Sequence, residues 1–359
     1  MRLFQNFGVY PTYLAHLHRM VGKDADFEEQ IAALLKDRFS ASHILMPVLD
    51  GDCDAFFTNG TDEKLQHAWA RENGLQTDNL DEILLAQIEA HRTEVFYNID
   101  PMRFGSAFLR RLPGSVKTCI AWRAAPSQGI DLGAYNLVVC NFPGILQRYA
   151  DEGLRAAYFF PAHDPEMDSY AANQHRPIDV LFVGGYTRHH GQRTQLLDAV
   201  AAMSDRFKVV MHLDRSRLTR LAETPFGILG PLGKHRRSNH IRAVSRPAIF
   251  GRALYEALSQ SKIALNGAID MAGEDRGNIR CFEGMGCGCL MLSDTGRYPA
   301  GMMAGKTMET YESPEDAVAK ISTLLVDTVR LEQVARAGYE MVSRQYSKQR
   351  QWDRFLQFV

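Results

Sequence analysis

The sequence predicts an α/β fold of two domains, each built around a parallel sheet covered by helices. Three observations carry this expectation. Short runs rich in Val, Ile, Phe and Tyr alternate with segments of helical periodicity through both halves, the pattern of parallel strands joined by crossover helices. The chain has 359 residues, and at about 150 residues per domain that length suggests two. Between the halves, over residues 161–177, apolar periodicity stops and Pro, Asn, Gln and His collect as in a linker.

In the first half the strand candidates are residues 2–7, 43–48, 94–98, 116–122, 136–140 and 156–160, with helices at 27–39 and 80–91. In the second of these helices Leu80, Ile83, Leu84, Gln87 and Ile88 fall on one side. The second series runs strand 178–183, helix 192–203, strands 207–212 and 226–229, helix 252–260, strand 263–266, helix 279–286 and strand 289–292. Ser313 is an N-cap candidate, with Pro314 in the first turn and the carboxylates of Glu315 and Asp316 behind it. Trp352, Phe355, Leu356 and Val359 recur at i, i+3, i+4 and i+7. A terminal helix with that stripe must bury a face, on its own domain or back against the first. The expected divisions are 1–170, 178–340 and a terminal helix in 341–359 that packs toward the first domain.

A hydrophobic content of 45% and a charged content of 23% exclude disorder for most of the chain. Lys plus Arg (41) nearly cancels Asp plus Glu (42), leaving a net charge of −1. Such a chain has no overall basic field for nucleic acid, so any phosphate must be held by a local site. The opening residues make a poor signal peptide, because Gln5, Asn6 and Pro11 break the apolar run. No stretch reaches the roughly 18 uninterrupted apolar residues of a membrane span. The six cysteines are scattered, and Cys287 and Cys289 lack zinc-site spacing. They read as reduced core thiols of a cytoplasmic protein.

Chemistry is densest between Gly273 and Cys289, where Gly273, Gly277, Gly284, Gly286 and Gly288 surround Asp275, Asn278, Arg280 and Glu283. A loop leaving Asn266 feeds a helix that begins near Asn278. Ligands of open α/β sheets sit beyond the carboxyl ends of strands, and helix N-termini attract phosphate. Arg280 on the first turn suits a diphosphate, and Glu283 one turn on suits a ribose diol. The plainer alternative is a helix whose polar residues face solvent. So many glycines burden a helix, which argues for the ligand reading.

Three motifs carry a resemblance: Phe182, Val183 and Gly184; Ser261 through Asn266; and Asn278, Arg280, Phe282 and Glu283 with its glycine step into a strand. Over about residues 178–300 the sequence resembles the GT-B glycosyltransferases of the group 1 type, in the CgeB-like branch. The resemblance implies two Rossmann-like domains facing a cleft, with the first binding an acceptor and the second a nucleotide-diphosphate sugar. It places Glu283 on the nucleotide ribose. Asp275 stands where the family has a Glu that touches the donor sugar in retaining members. Gly184 and Gly185 match the Gly turn after the first strand of the nucleotide domain; as a lone pair, a tight structural turn fits them equally well. Arg188 and Arg193 follow, and Arg193 and Arg280 are the candidates for neutralising the diphosphate. The stretch 229–232, with Gly230 and Leu232, occupies the place where backbone atoms read the base. Asn266 completes the donor set.

The acceptor side falls to Gly8, Trp122, Arg123 and His163. Asp100 is the acidic base candidate for an inverting course, and equally a helix cap before Pro101. In the wider family a His often follows the strand that here ends in Trp122 and Arg123. Two rival signals remain. Asp50, Asp52 and Asp54 imitate the metal-binding D-x-D of GT-A enzymes, or form a polar turn. The run 234–242, rich in Lys, Arg and His, is a solvated loop or a contact for a phosphorylated acceptor or an anionic membrane.

The expected function is therefore a metal-independent glycosyltransferase with no cofactor, retention being preferred over inversion. Its partners would be a nucleotide sugar and a glycan, lipid-linked or protein acceptor, not nucleic acid. Its location would be the cytoplasm, with peripheral contact at the inner membrane face. The alternatives are a non-catalytic nucleotide- or glycan-binding subunit of a polymer-assembly complex, and a GT-B-like sugar-nucleotide epimerase.

Overall fold

The computed structural model describes residues 1–186, 191–224, 227, 231–267 and 272–359. The chain forms two compact units, one of Met1–Pro161 with Lys348–Val359, the other of Ala162–Ser347.

The first unit holds a six-stranded sheet, β1 (Leu3–Asn6), β2 (Ala55–Thr58), β3 (Val95–Asn98), β4 (Thr118–Trp122), β5 (Leu137–Cys140) and β6 (Ala156–Tyr158). Its order is β2-β1-β3-β4-β5-β6 and all pairs are parallel. Strands buried on both faces read as continuous apolar runs, and Phe4, Phe96, Ile120 and Val139 are fully buried. The helix Phe27–Asp37 opens on a capping box between Asp26 and Glu29, and Asn79 caps Leu80–Ala90.

One expected strand is absent. Residues 43–48 form the end of a 3₁₀ turn, Ala41–His43, and the helix Met46–Leu49. Ile44 and Leu45 are fully buried, so the run looked like a core strand, but Pro47 sits in the first helical turn, where its missing N–H is harmless. The second strand of the sheet is Ala55–Thr58 instead.

The helix Lys348–Leu356 belongs to the first unit. Lys348 Nζ donates to the carbonyls of Ala41 (2.6 Å) and Ile44 (2.7 Å). Gln351 Nε2 donates to those of Ser42 (2.9 Å) and Phe160 (2.8 Å). The Phe355 ring lies 5.1 Å from that of Tyr97. The expected stripe is thus corrected: Leu356 and Val359 are 42% and 44% exposed, and the buried face is Lys348, Gln351 and Phe355. Two polar residues occupy it because their tips satisfy backbone carbonyls that burial would otherwise leave unpaired.

The second unit holds β7 (Ile178–Tyr186), β8 (Val209–Arg215), β9 (Ser245–Arg246), β10 (Ser261–Leu265), β11 (Leu290–Asp294) and β12 (Glu309–Tyr311). Their order is β12-β11-β10-β7-β8-β9, again all parallel. This is the doubly wound order whose strand sequence reverses between β7 and β10. Val180, Leu197, Val200, Ile263, Leu290 and Ile321 build its core. Ser313 caps the helix Pro314–Val326 through Asp316 N. Strand β9 was not anticipated; of the expected strand at 226–229, only Gly227 lies among the described residues.

The division between the units falls at Pro161 rather than near 170. The polar stretch that resembled a linker is tied into the second unit. Arg176 donates to the carbonyls of Ser261 (2.9 Å) and Cys287 (3.0 Å), and Asn173 to that of Ser259 (3.1 Å). Cys119, Cys140, Cys281, Cys287 and Cys289 are buried, Cys53 is exposed, and none of the six is in a disulfide. Among the described residues no helix is long and apolar enough to cross a membrane.

Candidate functional site

In sheets of this order a crevice opens where strand order reverses, beyond the carboxyl ends of the strands. In the second unit the reversal is flanked by the ends of β7 and β10. Asn266, the residue after β10, is buried and acts as a clip. Its N–H donates to Leu292 O (2.8 Å), and its Nδ2 to Ser293 Oγ (3.0 Å). Its Oδ1 accepts from Asn278 Nδ2 (3.2 Å). Asn278 is the N-cap of the helix Ile279–Gly286 but places no side-chain cap on it, because its amide is engaged with Asn266. Next along the chain, Gly267 O accepts from Arg193 Nη2 at 2.5 Å. A Cβ on Gly267 would meet the Tyr311 hydroxyl at 3.2 Å. The reversal point thus gathers Arg193, Asn266, Asn278 and the start of the helix.

Arg280 and Glu283 lie on that helix and pair with each other, Nη1 to Oε2 at 2.5 Å. Glu283 is 3% exposed. Burial raises the pKa of its carboxyl, Arg280 opposes that, and the nearby charge of Asp164 adds to the rise. Asp164 is itself buried, and Tyr255 Oη donates to its Oδ2 at 3.2 Å. Tyr255 escaped the sequence reading and Asp164 was read only as part of an acceptor-side loop, since nothing local connects them to a helix so far along the chain.

Asp275 is 1% exposed, and its Oδ1 accepts from Arg297 Nε (2.6 Å) and Nη2 (2.5 Å). This arrangement presents the carboxylate to Arg297 rather than to a ligand. Gly184 and Gly185 form no turn: β7 continues through Tyr186, pairing them with Leu213 and Asp214 of β8. Neither takes a positive φ. Arg188 and Gly230 lie outside the described residues. Leu232 is half-buried in the 3₁₀ helix Pro231–His235.

Gly284, Gly286 and Gly288 of the 273–289 cluster serve packing, which corrects the ligand argument made for them. A Cβ on Gly284 would stand 3.1 Å from Met291 Sδ, and one on Gly286 would stand 2.4 Å from Met167 Sδ and 3.0 Å from His163 Nδ1. Gly288 has a φ of +78° and faces Arg176. The helix has no side chains there because other groups fill the space.

In the first unit the reversal falls between β1 and β3, whose ends carry Asn6 and Asn98. Asn6 Nδ2 donates to Asn98 Oδ1 (2.8 Å), and Asn98 Nδ2 to the Tyr135 hydroxyl (2.6 Å). Just beyond them Gly8 and Asp100 face each other, so closely that a Cβ on Gly8 would lie 3.0 Å from Asp100 Cβ. Burial raises the pKa of the Asp100 carboxyl against the pull of the Arg103 amide and the Arg103 and Arg123 guanidiniums. Its carbonyl also receives the N–H groups of Arg103 and Phe104. Trp122 is buried between His43 (ring centroids 4.5 Å apart) and Phe159 (5.9 Å), a core position. His163, expected on this side, belongs to the second unit. Its N–H donates to Tyr346 O (2.7 Å), and its Nε2 lies 2.8 Å from Asp168 Oδ1. The chain has crossed into the second unit one residue earlier.

The D-x-D imitation is a polar turn. Asp50 caps the helix Met46–Leu49, and Asp52 Oδ1 accepts from Asp54 N (2.9 Å) immediately before β2 begins. It lies at the amino end of its strand, opposite the end where ligands gather, because the strand expected before it does not exist. Of the basic run, Arg237 is buried against Glu223, and Ser238 caps the helix Asn239–Val244.

Residues 193–357 match the sequence family described as "Glycosyl transferase-like". No curated protein matches the chain in sequence. Among solved structures the chain is similar to Anabaena HepE in complex with UDP and glucose, at 12% identity and a TM-score of 0.60, covering 99% of this chain and 98% of that one. It is also similar to S. aureus TarM, at 10% identity and a TM-score of 0.54, over 78% of this chain and 58% of that one. Sucrose-phosphate synthase from Thermosynechococcus elongatus matches at 14% identity and a TM-score of 0.50, over 84% and 79%. The match over the chain's length shows the GT-B fold, and residues 193–357 are similar in sequence to the glycosyl transferase-like family.

Proposed function

We propose that the chain transfers a sugar from UDP-sugar to an acceptor hydroxyl without a metal ion, as a group 1 enzyme of the CgeB-like branch. The observation that carries this reading is the part-buried Arg280–Glu283 pair on a helix that starts at the strand-order reversal of the second unit. The helix N-terminus, Arg280 and Arg193 supply positive charge where a diphosphate would develop negative charge on leaving. With Oε2 of Glu283 held by Arg280, Oε1 is the oxygen offered to the ribose hydroxyls. The complexes of HepE with UDP and with UDP-glucose support the choice of base and donor class.

The proposed course is retention, in which the leaving diphosphate takes the acceptor's proton. Asp100, beside Gly8 in the first unit, then orients the acceptor hydroxyl; in an inverting enzyme it would be the base. The acceptor is a glycan, a lipid-linked sugar or a protein, and the site of action is the cytoplasm. A second reading, a nucleotide-binding subunit without turnover, is favoured by one observation: Asp275 is sealed against Arg297.

Calorimetric titration of UDP into the wild type, Glu283→Ala and Arg280→Ala tests the proposal. Each substitution is expected to weaken UDP by roughly 10- to 100-fold, the worth of one to two charge-assisted hydrogen bonds. Unchanged affinity in both variants would remove the site. UDP binding without hydrolysis or transfer across a panel of UDP-sugars and acceptors would favour the second reading.

A further inference from the structure

A cavity of the second unit, about 420 Å³ in volume, lies beside the ends of β8 and β9. Five guanidinium groups line it, those of Arg215, Arg220, Arg237, Arg242 and Arg246, with the carboxylate of Glu223. They arrive from separate pieces of chain. Arg215 ends β8, Arg220 is on the helix Arg217–Ala222, Arg242 is on the helix Asn239–Val244, and Arg246 is in β9.

Arg237 is the foundation. It is 5% exposed, and its fork is fixed by Glu223 Oε1 (2.5 Å from Nε), Glu223 Oε2 (2.8 Å from Nη2) and Ser245 Oγ (2.8 Å from Nη1). Arg215 Nη1 takes Glu223 Oε2 as well, at 3.2 Å. Burial alone would raise the pKa of this carboxyl, yet the two arginines hold it below the ordinary range. Glu223 is therefore fully committed to Arg237 and Arg215, and among the described residues the cavity has no other acidic group to balance Arg220, Arg242 and Arg246. Like charges gathered at a concave surface repel, and an anion entering the cavity relieves that repulsion. The volume is in the range of small-ligand sites, about 300–1,000 Å³. Guanidinium forks match phosphate oxygens. Among the described residues no aromatic ring lines the cavity to stack a base.

We propose that this cavity binds a phosphate group, as a monoester or a diphosphate, at a site separate from the nucleotide-sugar site. It shares no residue with Arg193, Asn266, Asn278, Arg280 or Glu283, and it stands whether or not that site binds UDP.

The test is calorimetric titration of inorganic pyrophosphate into the full chain at low ionic strength. Three proteins are compared: the wild type, the pair Arg242→Gln/Arg246→Gln, and the pair Arg193→Gln/Arg280→Gln. Arg242 and Arg246 are exposed, so the first pair is expected to fold, with a melting curve as the check. The expected result is pyrophosphate binding at least about tenfold weaker in the first pair, with UDP affinity kept, and a retained pyrophosphate site in the second. Pyrophosphate binding lost only in the second pair, or none in the wild type at millimolar concentration, overturns the proposal. Comparing glucose 6-phosphate with inorganic phosphate identifies the source. Tighter binding of the ester assigns the site to a phosphorylated substrate, and equal binding assigns it to a free ion; either result upholds the site.

Discussion

The two sheets offer the same topological opportunity and furnish it with opposite chemistry. An asparagine clip sits at each strand-order reversal: Asn6 with Asn98 joins two strand ends in the first unit, and Asn266 with Asn278 ties a strand end to a helix start in the second. Beyond the clip the second unit places Arg193, Arg280 and the start of a helix, with Glu283 paired at 2.5 Å. The first places Gly8 against the carboxylate of Asp100. A cationic crevice selects an anion, whereas a bare backbone beside one carboxylate selects a hydroxyl donor. On the proposed reading the fold makes two crevices, and the sign of charge at each would decide which substrate it takes.

The largest effect should come from breaking the charged side of this comparison. Arg280→Met leaves Glu283 buried without its cation, and we expect UDP affinity to fall about 100-fold while Asp100→Asn leaves it unchanged. Equal losses in both variants would mean that the crevices are not specialised. Next is packing. Gly286→Ala drives a methyl toward Met167 and His163, and urea unfolding of the second unit should show a loss of about 1–3 kcal/mol. Third, turnover of Asp100→Asn should stay within about tenfold of wild type, with product of unchanged anomeric configuration by NMR. A loss of 100-fold or more would make Asp100 a general base and the enzyme inverting.

A pH series sharpens the comparison further. Burial raises the pKa of Glu283, so the folded chain holds that proton more tightly than the unfolded chain. The contribution of this group to stability is therefore present at low pH and lost as pH rises through the raised pKa. UDP affinity should run the other way, weakening as pH falls through the same pKa. Asp164→Asn removes a charge that pushes Glu283 up, and should move the weakening to lower pH. The smallest effect is reserved for the polar turn. Asp52→Asn should change activity and stability by no more than about 0.5 kcal/mol, with or without EDTA.

What was legible in the sequence follows from the range of the interactions involved. Helix Ile279–Gly286 was read to the residue, because its cap, its charges and its glycine exit are all local. The alternation of strands and helices gave two parallel sheets. The run at 43–48 misled because a buried turn and a buried strand are equally apolar, and only the outer pairing of β1 with Ala55–Thr58 decides between them. Gly284, Gly286 and Gly288 misled in the opposite sense. Their local pattern suggested a ligand, yet their neighbours are Met291, Met167, His163 and Arg176, drawn from distant segments. The pairing of Asp164 with Tyr255 was invisible for the same reason. The polar stretch at 168–177 looked like a linker because hydrogen bonds such as that from Arg176 to Cys287 leave no periodic trace.

The way Lys348 and Phe355 complete the first unit bears on how the chain folds during synthesis. The second unit is one unbroken segment, whereas the first lacks its closing helix until residues 348–356 have left the ribosome. Until then the carbonyls of Ala41, Ser42 and Ile44 and the ring of Tyr97 wait without their native partners. Contacts this far apart in sequence are slow to form. The order of synthesis therefore allows the second unit to be complete before the first, although the first begins the chain.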